Sequence, residues 1–259
     1  MKFARFTAVA FVTAVALTAA CDARPFIVAG GGDVAPFQSV GADGKVVGIL
    51  VDIYAECFRR LDIELLYEPY PWARAQQHVE SGEADGMSTV ITEDRLRYAV
   101  PGQVVLAEER FVAFANAVNP HFDEIMKAHS LQELQHLRVL AQFGSGWVAE
   151  NFPKTAIEYA STRSDLLEML ALGRGDVVIA GEVTTRRRLE TLRRDNADLP
   201  FDAITGSANV LAMLEFHFMI SKKSVYLNRL GDIDRTLEEM RQDGTIRRIY
   251  GKFGLDGAS

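Results

Sequence analysis

Short apolar runs alternate with amphipathic stretches along the chain, and this alternation constrains the fold more than any other feature. Residues 26–29, 63–67 and 86–91 have the length of buried strands, and helices ending near Leu61 and Ser81 are predicted between them. Strands joined by single helices pair in parallel, because such a crossover needs a helix. The sequence therefore predicts an α/β fold with a mostly parallel sheet and helices on its faces.

The pattern restarts after a long strand predicted at 109–116. Strands follow at 138–141, 157–159 and 176–180, and helices at 130–134, 147–151, 164–172 and 183–194. Residues 210–221 are predicted to form a returning strand, before closing helices at 227–243 and 245–253. The prediction is a two-lobed protein whose lobe 2 (114–209) is inserted in lobe 1 (24–113 and 210–259). Two connecting strands would act as a hinge for closure around a ligand.

Arg95 is the main candidate for a ligand contact. Thr92 can cap a helix that follows the strand at 86–91, and Pro101 is expected to end that helix. Arg95 then lies about one turn beyond a strand end, where open α/β sheets bind ligands. Its guanidinium can hold a carboxylate through two hydrogen bonds. Taken alone, the segment also allows an ordinary solvated arginine.

The overall charge argues against a nucleic-acid partner. The chain of 259 residues has a formal net charge of -7, whereas phosphate binding needs a basic face. Arg186, Arg187 and Arg188 form a local basic run, but Glu182 and Glu190 flank it. We therefore predict that this run lies on a solvated helix face.

Residues 1–20 are predicted to be a secretory signal peptide outside the fold. Lys2 and Arg5 precede the apolar segment 6–17, and small residues at 18–20 allow cleavage. The mature protein is expected to be exported. An uncleaved anchor is the alternative, although the apolar segment is short for a membrane span. Cys21 resembles the lipidated residue of bacterial lipoproteins, so the exported protein is expected to be either tethered by a lipid there or soluble.

Other common kinds of site have little support in the sequence. Cys57 shares a predicted helical face with Ile53 and Phe58, which indicates a buried core thiol. It has no disulfide partner if Cys21 is removed or lipidated. The five histidines show none of the usual zinc spacings, and no glycine loop has a nucleotide-binding pattern. No metal or cofactor is predicted.

Six segments occur in the order and spacing of one protein family. Together they resemble the bacterial extracellular solute-binding proteins of the polar amino acid type, family 3, from about Pro25 to Leu255. The resemblance implies a two-lobed periplasmic binding fold of type II. It also implies a monomer that is not an enzyme and that delivers a small ligand to an ABC permease in the inner membrane. The segments are 30–37, 48–52, 82–86, 91–95, 170–176 and 240–253.

The resemblance also implies roles for particular residues. In such proteins the arginine matching Arg95 binds the ligand carboxylate, and hydroxyl or backbone donors near Ser88 and Thr89 assist. Trp72 would line the cleft and stack on the ligand, or serve as a core or rim aromatic. Arg74 would be either a second positive contact or a surface residue.

The expected contacts from the other side come from a turn in lobe 2. Gly144, Ser145 and Gly146 would donate backbone amides to an anion, with a plain helix cap as the alternative. In lobe 1, Asp33 and Phe37 within the glycine-rich segment are also expected to contact the ligand.

Two positions depart from the family pattern. An aspartate that accepts the ligand ammonium would fall at Gly181, and a ligand-binding serine would fall at Val90. A glycine cannot neutralise an ammonium, so Glu182 or Asp33 would have to do so. Without them, the expected ligand is a carboxylate-bearing compound whose other end is not an ordinary α-ammonium.

Two other functions remain open at this point. A cyclohexadienyl dehydratase is known on this fold, and Glu182 or Glu150 would be its candidate general acid or base. A periplasmic sensor that presents ligand to a membrane receptor is the other alternative. Fold by itself does not decide between them.

Overall fold

The computed structural model describes residues 24–255 except residues 42 and 197. The predicted signal peptide and Cys21 lie outside the described residues. Along the part that is described, no helix combines the length and the apolar character needed to cross a membrane.

The strands and helices follow the predicted alternation, with further short strands. The strands are β1 (Phe26–Gly31), β2 (Asp33–Val34), β3 (Gln38–Val40), β4 (Val46–Val47), β5 (Leu65–Tyr70), β6 (Gly86–Thr89), β7 (Ala99–Asn116), β8 (Val139–Gln142), β9 (Ile157–Ala160), β10 (Val177–Gly181), β11 (Ile204–Gly206) and β12 (Ala212–Ser221). The α-helices are α1 (Ile49–Arg60), α2 (Trp72–Ser81), α3 (Glu93–Tyr98), α4 (Phe122–Lys127), α5 (Gly146–Asn151), α6 (Arg163–Ala171), α7 (Glu182–Asp195), α8 (Leu230–Gln242) and α9 (Thr245–Lys252).

One large mixed sheet runs through both halves of the protein. Its strand order is β5-β1-β6-β12-β7-β10-β8-β9, and β11 also pairs with β7. β1 is parallel to β5 and β6, and β8 is parallel to β9 and β10, as single-helix crossovers require. The long strands β7 and β12 are antiparallel to each other and to their outer neighbours β10 and β6. The prediction of a mostly parallel sheet is therefore correct only for the two outer parts.

Two sets of buried side chains define the lobes. Lobe 1 contains the aromatic cluster of Phe26, Phe58 and Phe218, built from residues 26–107 and 216–255. Lobe 2 contains two clusters on opposite faces of the sheet, because alternate residues of β7 point to opposite faces. β7 and β12 pass between the lobes, in agreement with an inserted lobe and two hinge strands. The exact limits at 113/114 and 209/210 remain predictions.

The prediction that Pro101 ends α3 is wrong. The helix ends at Tyr98, and Pro101 lies within β7, opposite Met219. The register of β7 and β12 shifts between His217 and Met219. An irregular pairing of this kind accommodates a residue that lacks an N–H donor. As a result β7 begins at Ala99, ten residues before the predicted start of the strand.

Cys57 is the buried core thiol that the helical pattern predicts. It is fully buried on α1, and its Sγ lies 3.9 Å from the carbonyl oxygen of Ile233. Burial raises the pKa of the thiol to about 12, so it stays protonated and unreactive at neutral pH.

Asp85, the residue immediately before β6, holds several segments of lobe 1 together through hydrogen bonds. Its fully buried carboxylate accepts hydrogen bonds from the Arg24 guanidinium at 2.6 and 2.8 Å, from the Ile27 amide at 2.9 Å and from the Ser224 hydroxyl at 2.6 Å. These bonds tie the start of β1 to the chain that follows β12. They fix the strand β6, whose end forms part of the site.

Candidate functional site

A cleft of about 460 Å³ lies between lobe 1 and lobe 2, a size that suits a small organic molecule. Residues from β2, α2, β6 and α3 line it from lobe 1, and residues from β8, α5 and α7 line it from lobe 2. Its walls are largely apolar and include several aromatic rings. These are Phe37, Tyr70, Trp72, Phe111, Trp147 and Phe216.

Arg95 lies in this cleft and is buried rather than solvated. The hydroxyl of Thr92 accepts a hydrogen bond from the Arg95 amide at 3.4 Å, which caps α3 as predicted. Only 2% of the surface of Arg95 is exposed to solvent. The guanidinium donates to three neutral acceptors: Gln76 Oε1 at 3.0 Å, the Val90 carbonyl at 3.0 Å and the Gly144 carbonyl at 3.1 Å.

The charge of Arg95 is therefore poorly compensated. Burial lowers the pKa of the guanidinium, and Tyr98 and the charge of Glu150 oppose this effect only in part. Among the described residues, no carboxylate forms an ion pair with Arg95 within 4.0 Å. A carboxylate brought by a ligand would supply the missing negative charge.

Two residues of helix α2, Trp72 and Gln76, contact the Arg95 side chain. The ring of Trp72 lies 5.4 Å from the Arg95 Cζ atom, close enough for a cation–π contact. Gln76 is one turn further along and shares the same helix face. Trp72 Nε1 and Gln76 Nε2 each donate to the Gly144 carbonyl at 3.0 Å. The sequence prediction did not include Gln76, although its spacing of four residues from Trp72 was a usable signal.

The turn at residues 144–146 meets lobe 1 in a different way from the predicted one. The carbonyl of Gly144 accepts the three bonds from lobe 1, and its φ of 83° is a left-handed conformation that favours glycine. The Ser145 amide is bonded to the Gln142 carbonyl and the Gly146 amide to the Gly144 carbonyl, both at 2.9 Å. Donation of these two amides to a ligand remains a prediction that requires an exchange of bonds.

The end of β6 supplies polar groups to the cleft. Ser88 and Thr89 both line it and are buried. The Ser88 hydroxyl has no hydrogen-bond partner among the described residues. A buried unpaired hydroxyl costs about 1–3 kcal/mol, so this group is well placed to bond a ligand.

Asp33 lines the cleft from β2, but its carboxylate is already paired. It forms an ion pair with the guanidinium of Arg188 on α7, so this contact joins the two lobes. Phe37, also predicted, lines the cleft and stacks on Phe216 with ring centroids 6.4 Å apart.

The prediction that residues 186–188 lie on a solvated helix face is wrong for Arg188. Arg188 is three residues from Thr185, which is buried, and both line the cleft. Arg186 is four residues from Glu182, bonds it at 3.1 Å and faces solvent. Three consecutive arginines point in different directions around a helix, so a charge run alone does not reveal which one faces the site.

Three predicted site residues, Arg74, Gly144 and Glu182, do not line the cleft. Arg74 is exposed on α2. Glu182 begins α7, where Arg186 and, at 3.6 Å, Arg110 hold its carboxylate. Neither Glu182 nor Asp33 is thus left free to neutralise a ligand ammonium.

Gly181 has an acidic neighbour that the sequence prediction missed. A Cβ atom on Gly181 would clash with the carboxyl group of Glu109, which reaches in from the hinge strand β7. Glu109 is buried and accepts a hydrogen bond from the Thr184 amide at 2.9 Å. Burial raises the pKa of Glu109, while the Thr184 amide and the charge of Arg163 act in the opposite direction. The Glu109 carboxylate occupies the space that a side chain at position 181 would need.

Two of the five histidines, His121 and His136, form a cluster with Glu124 that their spacing did not predict. His121 Nδ1 and His136 Nε2 lie 3.1 and 3.2 Å from the two carboxylate oxygens of Glu124. These three side chains could together hold a metal ion, but they are partly exposed and none of them lines the cleft. The cluster is separate from the candidate binding site.

The sequence model of the bacterial extracellular solute-binding proteins, family 3, matches residues 26–136. This match confirms the predicted family resemblance. The family 3 match includes strands β1 to β6, helices α1 to α3 and the hinge strand β7. No curated protein sequence matches the chain.

Solved structures show the same two-lobed fold. A histidine kinase sensor domain with similarity to periplasmic binding proteins is 18% identical, with a TM-score of 0.73 over 89% of this chain and 96% of that one. The arginine-, lysine-, histidine-binding protein ArtJ from Geobacillus stearothermophilus is 17% identical, with a TM-score of 0.72 over 90% and 96%. The substrate-binding protein of an amino acid ABC transporter is 16% identical, with a TM-score of 0.69 over 89% and 99%. At these identities the likeness concerns the fold.

Proposed function

We propose that this protein captures a small carboxylate-bearing ligand in the cleft and delivers it to an ABC permease. The observation that carries the proposal is Arg95, a buried cation whose hydrogen-bond partners are all neutral. Burying a charge without a counter-charge is costly, and a carboxylate offsets that cost through charge and two parallel hydrogen bonds.

The hinge supports a capture mechanism. β7 and β12 connect the lobes, and Gly144 of lobe 2 contacts Trp72, Gln76 and Arg95 of lobe 1. A ligand that bonds groups from both lobes has more contacts in the closed state than in an open one. It therefore shifts the equilibrium towards closure.

The acids around the cleft favour a ligand without an α-ammonium group. Position 181 is a glycine, Asp33 is paired with Arg188, and Glu182 is paired with Arg186. Glu109 is close to Gly181 but does not line the cleft. The chain thus offers no unpaired acid at the cleft surface, among the described residues, for the ammonium of a standard amino acid.

Calorimetry tests this ligand class. Small monocarboxylic acids and the common amino acids are titrated into the protein under the same conditions. We expect at least one acid without an ammonium to bind more tightly than every standard amino acid. Micromolar binding of several amino acids would contradict the proposed ligand class, although it would leave capture in the cleft intact.

The cellular location of the protein and its ABC permease partner are parts of the same proposal. A signal peptide at residues 1–20 would send the protein to the periplasm, and a lipid on Cys21 would tether it there. Mass spectrometry of the N terminus after cell fractionation tests both ideas. A protein that keeps residues 1–20 and stays in the cytoplasm would exclude this route. Co-purification with a cross-linked ABC permease tests delivery.

A ligand sensor is the second candidate, because the fold matches that of a histidine kinase sensor domain. Capture in the cleft is common to both functions, so the partner distinguishes them. Cross-linking to a membrane receptor rather than to a permease would favour sensing.

The cleft gives little support to a dehydratase. Glu150 accepts a hydrogen bond from the Glu93 amide at 2.8 Å, and neither Glu150 nor Glu182 lines the cleft. A general acid must reach the leaving group of its substrate. Incubation with prephenate or arogenate, followed by absorbance, tests the enzyme, and loss of either compound would establish it.

A further inference from the structure

A second cationic region lies on the lobe 2 side of the cleft, formed by Arg163 and Arg188. We propose that this region binds a second anionic group, so that the protein selects dicarboxylic acids with an apolar body. The inference rests on the proposed function of Arg95, but it concerns other residues and makes separate predictions.

The charges that line the cleft are unequal. Arg95, Arg163 and Arg188 contribute three guanidinium groups, whereas Asp33 is the one acid among the described residues that line it. The pairing of Asp33 with Arg188 leaves an excess of two positive charges. A monocarboxylate would compensate one of them. A dicarboxylate would compensate both.

Arg188 has an unused donor. Asp33 contacts its Nη2 atom, while its Nε atom is buried and has no hydrogen-bond partner among the described residues. The Nε and Nη groups of arginine form a fork that matches the two oxygens of a carboxylate. Arg188 can therefore donate hydrogen bonds to a ligand carboxylate, either beside Asp33 or in place of Asp33.

Arg163 is held in position, but none of the described residues forms an ion pair with it. Thr162 and Asp165 form a capping box with two hydrogen bonds of 3.0 Å, which fixes the first turn of α6. The Arg163 Nη1 atom lies 3.4 Å from the Thr184 hydroxyl. Its charge also acts on buried Glu109, although the described residues include no acid within ion-pair distance of Arg163.

Apolar side chains line the same cleft as the two cationic regions. Phe37 and Phe216 stack on the lobe 1 side, and Phe111 and Trp147 form an edge-to-face pair with centroids 5.3 Å apart. An aliphatic or aromatic body suits these surfaces. An α-ammonium near Arg163 and Arg188 would instead meet like charges, which disfavours amino acids.

Matched pairs of acids test the proposal. Calorimetry compares the series from succinate to suberate, and terephthalate, with monoacids of the same body, such as hexanoate for adipate and 4-methylbenzoate for terephthalate. We expect the best diacid to bind about tenfold more tightly than its monoacid. In Arg188→Gln this preference should fall to less than about threefold, because the diacid loses more affinity than the monoacid.

Two further variants complete the test. Arg163→Gln should also reduce the diacid preference, and Arg186→Gln, on the same helix but facing solvent, should keep it. A cooperative urea unfolding transition shows that each variant is folded. Equal affinities for diacids and monoacids in the wild type, or an unchanged preference in Arg188→Gln, would overturn the inference. The proposed function would still stand if monoacid binding depended on Arg95. If the wild type bound neither class, both would fall.

Discussion

The guanidinium of Arg95 donates a hydrogen bond of 3.1 Å to the carbonyl oxygen of Gly144, and this bond joins the two lobes at the edge of the cleft. The same carbonyl accepts from Trp72 and Gln76. The residue that is proposed to bind the ligand carboxylate therefore also holds the lobes together. Ligand binding and lobe closure are expected to be coupled through Arg95.

Removal of the other two bonds to Gly144 should weaken closure. In Trp72→Phe/Gln76→Ala only the Arg95 bond to this carbonyl remains. We expect the ligand-free protein to open, and the affinity for a bound acid to fall by about 1–2 kcal/mol, because each lost bond contributes roughly 0.5–1.5 kcal/mol. Small-angle X-ray scattering measures the opening. An unchanged radius of gyration together with unchanged affinity would show that these bonds do not hold the lobes.

Tryptophan fluorescence should report ligand binding directly. The sequence contains two tryptophans, Trp72 and Trp147, and both line the cleft from opposite lobes. A bound acid changes the surroundings of both rings, so the emission should shift in intensity or wavelength. Trp147→Phe should retain only the Trp72 part of the signal. Emission that stays constant through a titration saturated by calorimetry would place the ligand elsewhere.

Gly181 should tolerate a side chain only when Glu109 is shortened. Gly181→Ala places a Cβ against the Glu109 carboxylate and should destabilise the fold by about 1–3 kcal/mol. In Glu109→Ala/Gly181→Ala this cost should largely disappear, which is a coupling of about 0.5–3 kcal/mol. Urea unfolding measures each free energy.

The control for this cycle is Gly231→Ala. Gly231 lies in α8 with open space around its Cα, so alanine should be neutral or slightly stabilising there. Additive effects of the changes at Glu109 and Gly181 would contradict the close approach of these two residues.

Glu109 should make stability depend on pH. Burial raises its pKa above the ordinary value of 4.5, so the folded state binds this proton more tightly than the unfolded state. Its contribution to stability is full below pH 4.5 and is lost as the pH rises through the raised pKa. Glu109→Gln should remove this decrease. The exposed neighbour Glu108→Gln is the control, and equal pH slopes for the wild type and Glu109→Gln would refute the assignment.

The sequence predicted the parts of the site that follow from local pattern. Strand β6, the Thr92 cap and the first turn of α3 are local features, and they place Arg95 beyond the strand end. The family resemblance also led to Trp72, Ser88 and Asp33, all of which line the cleft.

Contacts between distant segments could not be predicted in this way. Arg188 pairs with Asp33 across the lobes, and Glu109 fills the space beside Gly181. No helical or strand period links residues so far apart in the chain. Pro101 shows the converse case, since a local rule for ending a helix was overridden by an irregular pairing of β7 with β12.

Binding of acids in competition with their primary amides tests the central role of Arg95 most directly. An equimolar mixture of small carboxylic acids and the matching amides is incubated with the wild type, Arg95→Gln and the exposed control Arg97→Gln, and retained compounds are identified by mass spectrometry. The wild type and Arg97→Gln should retain acids and not the amides, whereas Arg95→Gln should lose about 2–5 kcal/mol of affinity and retain neither. Retention of amides as readily as acids, or equal retention of acids by Arg95→Gln, would contradict the account.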